Sequence, residues 1–144
     1  MNNQDTINLL KECNAGIKMG VDSINEVLDK TQSDKLSALL SSSKEEHQRL
    51  GSETHKRLNQ LGTQGKEPNP MAKSMSWIKS NVMMAVDAGD DTIADLITDG
   101  CNMGVKSLSR YLNKYSAADQ SSKDIARRLI DEESALERDL RCYL

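Results

Sequence analysis

Phenylalanine is absent from this chain, tryptophan occurs once and tyrosine three times. Proline occurs twice, at Pro68 and Pro70, so a single stretch breaks an otherwise helix-rich composition of Leu, Ser, Lys, Asp, Glu and Ala. Apolar runs are short. Val82-Met83-Met84-Ala85-Val86 is typical, whereas a membrane-spanning helix needs about 20 apolar residues, so no membrane span is expected. The formal net charge is −3 and no long block carries one sign, which leaves no basic footprint for nucleic acid. The segment MNNQDTINLLKE lacks the cationic stretch and apolar run of a secretory signal, and a cytoplasmic location is expected. Cysteines are few and scattered. Cys13, Cys101 and Cys142 form no CxxC, and the expectation is reduced thiols packed as small apolar residues. No G-x-S-x-G motif surrounds Ser41-Ser42-Ser43, and no Gly-rich phosphate loop occurs: Gly16 and Gly20 fall within a helical pattern, where small residues allow close packing.

What is present is helical periodicity in 144 residues, enough for one domain with a real core. A first stripe (Ile7, Leu10, Ile17, Val21, Ile24, Leu28) predicts a helix over about residues 5–30. A second (Leu36, Leu40, Ser43, His47, Leu50, Thr54, Leu58, Leu61) predicts one over about residues 32–61, opened by a Thr31/Asp34 capping box. After the breaker Gly62–Pro70, Asn69 and Pro70 fit the start of a shorter helix with Met71, Met75, Ile78, Val82 and Ala85 on its apolar face and Gly89 at its end. Ile93, Ile97, Cys101, Leu108, Leu112 and Tyr115 form the next stripe, from Asp90 or Asp91. A Ser116/Asp119 box would then open a last helix with Ile125, Leu129, Leu136, Leu140 and Tyr143 inward.

Cys13-Asn14-Ala15-Gly16-Ile17-Lys18 is echoed by Cys101-Asn102-Met103-Gly104-Val105-Lys106, so the chain reads as two similar helical hairpins, residues 5–61 and 90–144, joined by residues 62–89. Helices of about 26 residues span roughly 40 Å. A connector containing its own helix can run that length and return the chain to its starting end. The expected fold class is therefore an all-α, ferritin-like four-helix bundle in up-down-down-up order with one long crossover. In this layout, NPMAKSMSWIKSNV and TIADLITDGCNMGVKSLSRYLNKY resemble a group of uncharacterised bacterial ferritin-like four-helix-bundle proteins, over nearly the whole chain. The resemblance implies a fold and little chemistry. The wider superfamily includes iron-oxidising enzymes.

A di-iron centre of this type takes one Glu from each of two helices and Glu-x-x-His from each of the other two. No Glu-x-x-His occurs: Lys44 lies three residues before His47, and Ser52 three before His55. At about 100° per residue, His47 faces inward, Glu46 lies at the stripe's edge, and Glu53 and His55 point out. Glu133 lies closer to its stripe than Glu132. Glu12, Asp22 and Glu26 point away, as do Asp95 and Asp99, and Asn14 is the nearest inward polar residue of the first helix. A full di-iron site is therefore not expected, and no catalytic residue or cofactor is assigned. His47 is expected at the core edge, hydrogen-bonded to a neighbour such as Glu133. The reading is a non-catalytic bundle that self-associates as a homo-oligomer or binds a protein partner. Its alternative is a protein of iron handling or oxidative-stress defence, holding a single divalent metal through Glu46, His47 and Glu133. DNA protection lacks its basic tail.

Overall fold

A computed structural model describes residues 3–63 and 89–144 of the chain. The described residues form four α-helices and no strand: α1 (Asn3–Leu28), α2 (Asp34–Gln60), α3 (Asp90–Lys114) and α4 (Gln120–Leu140), followed by a 3₁₀ turn, Arg141–Tyr143. None of these helices is long and apolar enough to cross a membrane. The helix expected from Asn69 and Pro70, with Met71, Met75, Ile78, Val82 and Ala85 on its apolar face, lies outside the described residues.

The helix ends follow capping chemistry, in part at other residues than the sequence suggested. The cap of α2 is Ser33, whose side chain accepts from Leu36 N at 3.3 Å; the Thr31 hydroxyl instead donates back to the Leu28 carbonyl. The cap of α4 is Asp119, accepting from Ser122 N at 2.9 Å, and Ser116 lies in the preceding turn. Both boxes were placed too early, because the residue immediately before each helix had the better geometry for its own N–H groups. Gly89 caps α3 in extended backbone, and Asp90 and Asp91 set two carboxylates at the positive end of the helix dipole. α2 stops at a Schellman turn: Gly62 takes φ 72°, Thr63 N bonds the Leu58 carbonyl and Gly62 N that of Asn59. Glycine enters this left-handed region without the steric cost other residues bear.

Side chains tie the helices at both ends. The Asp90 carboxylate accepts from Gln32 N (2.8 Å) and Ser33 N (2.9 Å), fastening the start of α3 to the α1–α2 turn. At the other end, Asp119 N donates to Thr6 Oγ1 (2.9 Å), Ala117 N donates to Asp5 Oδ2 (3.1 Å), and Arg57 near the end of α2 pairs with the Asp119 carboxylate. Burial pushes the Asp119 carboxyl up, but bonds from Ser122 and Arg57 overcome that and hold it below the usual carboxylate range.

The core is divided. One apolar cluster, around Leu10, Ile17, Leu50, Leu58, Leu108 and Leu129, fills the Asp119 end. The other, around Ile24, Leu36, Leu40, Ile93, Cys101 and Leu136, fills the Asp90 end. The α2 stripe is buried as expected, Leu61 only partly. The α1 stripe is broader than expected: Leu9, Cys13 and Val27 are buried and Ile7 only half so, because α1 packs against all three other helices rather than one groove. Glu12, expected to point away, is half-buried and bonded to the Tyr111 hydroxyl. Two of the three cysteines, Cys13 and Cys101, are buried as expected, and burial pushes the Cys13 thiol up to about 12; Cys142 is exposed.

Asp119 supports a cap and a cross-helix ion pair at once, so Asp119→Ala is expected to lower stability by about 1–3 kcal/mol, measured by urea unfolding. A midpoint unchanged from the parent would show that the α3–α4 turn holds without it.

Candidate functional site

Between the two apolar clusters lies one polar layer. His47 of α2 is 1% exposed and Glu133 of α4 is 8% exposed. His47 Nε2 stands 2.8 Å from Glu133 Oε1, and His47 Nδ1 stands 2.8 Å from the Ser43 carbonyl oxygen, with Ser43 Oγ at 3.4 Å. The bond to Glu133 is the one expected from the sequence, but the ring lies in the interior rather than at the core edge.

Each helix contributes to this layer. α2 brings Ser43 and His47 to one face, one turn apart, so the ring folds back over the preceding turn onto its own i−4 carbonyl. α1 makes room for it with Gly20: a Cβ there would stand 2.9 Å from both His47 Cδ2 and His47 Nε2. On α3, Gly104 faces the carboxylate less tightly: a Cβ there would stand at ordinary contact distance, 3.5 Å from Glu133 Cδ. Cys101, one turn before Gly104, is buried with its thiol toward Glu133. Burial raises the thiol's pKa first, and the charge and hydrogen bond of Glu133 raise it further.

Geometry fixes one ring proton, and the second follows where Glu133 is ionised. A backbone carbonyl only accepts, so Nδ1–H donates to Ser43. An ionised carboxylate only accepts, so Nε2–H donates to Glu133. With Glu133 ionised, both ring nitrogens are therefore protonated and the pair is imidazolium and carboxylate. Burial is the largest influence on the ring and by itself lowers its pKa. The hydrogen bond and charge of Glu133, the Ser43 carbonyl and the charge of Glu132 together outweigh it, and the net shift is upward.

Of the three sequence candidates, the structure brings two together. Glu46 points to the surface and pairs with Arg49 at 2.6 Å. His55 is exposed, and Glu53 pairs with Arg128 on the surface, as the helical geometry indicated. Gly20, Gly104, Cys101 and the Ser43 carbonyl were not assigned to the site from sequence. Gly20 and Gly104 sit where the buried positions of α1 skip from Ile17 to Ile24 and those of α3 from Cys101 to Leu108, a gap the sequence conceals because apolar Val21 and Val105 lie within it. Among the described residues, no group of three His, Cys, Asp or Glu side chains is placed to hold a metal ion. The facing atoms of His47 and Glu133 are hydrogen-bonded to one another. No protein-family model, curated protein or solved structure matches the chain.

The upward shift of His47 carries a sign. Its stabilising contribution is complete below the ordinary imidazole pKa of about 6.5 and is lost as pH rises through the raised folded value. The thermal midpoint is expected to fall as pH rises above about 6.5, and to fall less steeply in His47→Gln; equal slopes would refute this. Gly20→Ala should push on the ring, an overpacking loss of about 1–3 kcal/mol that exceeds a helix-propensity gain of at most about 1 kcal/mol. Gly100→Ala, with nothing within 4 Å of its Cβ, should gain instead. A thermal scan of the two variants tests the contrast, and a stabilised Gly20→Ala would disprove the close fit.

Proposed function

We propose that this chain is a ferritin-like bundle in up-down-down-up order, non-catalytic, acting in the cytoplasm through its outer surfaces by associating with itself or with a protein partner. The order is supported by the ties at the bundle ends: the starts of α2 and α3 meet at Asp90, while the starts of α1 and α4 meet at Thr6 and Asp119. The observation that carries the non-catalytic reading is the closure of the buried acid–base pair His47–Glu133. Both nitrogens of His47 are engaged, by Glu133 and by Ser43, in a layer between two apolar clusters. A general base must present a lone pair to a substrate proton. His47 would have to break the pair that neutralises it before doing so.

Sedimentation velocity at micromolar concentration is expected to give a defined species above the 16.0 kDa chain mass, or a defined complex with an added partner. A strict monomer that captures nothing would overturn the surface reading. Stoichiometric iron, manganese or zinc in freshly purified protein, lost in His47→Ala and Glu133→Ala, would favour the metal-holding alternative in its place.

A further inference from the structure

The polar layer has a symmetry that the sequence repeat only partly reveals. The N-caps of α2 and α4, Ser33 and Asp119, are 86 residues apart, and so are His47 and Glu133. Each member of the pair is thus the fourteenth residue of the second helix of its hairpin. Other positions at this spacing are buried in both helices: Leu40 with Ala126, Ser43 with Leu129, Leu50 with Leu136. Each hairpin also sets a first-helix glycine against the polar residue, Gly20 against His47 and Gly104 against Glu133. The repeated Cys-Asn-x-Gly motif aligns Gly104 with Gly16, one turn from Gly20, and Gly16 meets Leu129 instead.

α2 begins at the Asp90 end and α4 at the Asp119 end, so the two helices run in opposite directions. They cross where His47 meets Glu133, and an approximate two-fold relating these second helices passes between the two side chains; the first helices follow it less closely, since α1 packs on α4 whereas α3 hardly touches α2. On such an axis a repeat meets its own equivalent. Two copies of hairpin one would bury His47 against His47, and two copies of hairpin two would bury Glu133 against Glu133. Like charges brought together out of water are strongly unfavourable. Only the mixed pairing neutralises both.

We propose that each hairpin is a half-interface and that His47 and Glu133 are its pairing key: an imidazole-bearing hairpin accepts a carboxylate-bearing hairpin, so the chain closes on its own second half rather than on the like half of another copy. This does not rest on the functional reading above. Because the key sits where the second helices are related by this local two-fold, the proposal makes its members exchangeable. A histidine at 133 would find Gly104 across from it and the Leu129 carbonyl one turn back, as His47 finds Gly20 and Ser43.

The test is a charge swap in the full chain. His47→Glu and Glu133→His are each expected to lower the urea midpoint sharply, and the double variant to recover at least half of the loss as a monomer. The two single variants, unfolded together and refolded at equal concentration, are expected to form a species of twice the chain mass that neither forms alone. Single variants as stable as the parent would overturn the proposal. So would a double variant no more stable than the weaker single, since the pair would then depend on surroundings peculiar to each side. A recovered double variant whose parent singles fail to combine would overturn it as well, because charge at the axis would not be selecting the partner.

Discussion

The hydrogen-bonded ion pair between His47 and Glu133 is the constraint around which the interior is arranged. A charge in an apolar bundle is costly unless a partner and the remaining polar atoms are supplied. The layer supplies a glycine on α1 that admits the ring, a carbonyl for the second ring nitrogen and a thiol beside the carboxylate. Removing one partner from such a pair is strongly destabilising, whereas an apolar replacement of both is often neutral. The pair is therefore better understood as fixing which faces meet than as the source of the bundle's stability. Stability comes from the two apolar clusters that it separates.

Much of the fold was legible because helical periodicity is a strong signal. All eight α2 stripe positions that the sequence indicated are buried or partly buried, His47 and Ser43 among them. α1 was read less well, since a helix packed against three neighbours buries more than one stripe, and a 100° projection sees only one. Leu9, Cys13 and Val27 fell outside it. The caps were misplaced by a few residues because Thr31/Asp34 and Ser116/Asp119 satisfy the pattern of a box, and the choice among Ser33, Asp119 and their neighbours depends on backbone geometry.

The site was half legible. The inward angle of His47 and the proximity of Glu133 to its stripe follow from spacing alone. Glu46, at the stripe's edge, could have turned either way, and Arg49 one turn on drew it to the surface. Gly20 and Gly104 carry no chemical label, and their meaning comes from what stands opposite. The absence of Glu-x-x-His counted against a di-metal centre.

Both apolar clusters draw on both hairpins: Leu10 and Leu50 lie with Leu108 and Leu129 in one, Leu36 and Ile24 with Ile93 and Leu136 in the other. Neither hairpin owns a complete interior. During synthesis the first 60 or so residues would emerge with half of each cluster and with His47 still lacking its carboxylate. Contacts this distant along the chain must wait for the closure of a long loop, whose entropy is lost before any burial repays it. The division of the core thus makes folding of this chain a late, concerted event, with both ends of the bundle consolidating only after α4 has been made.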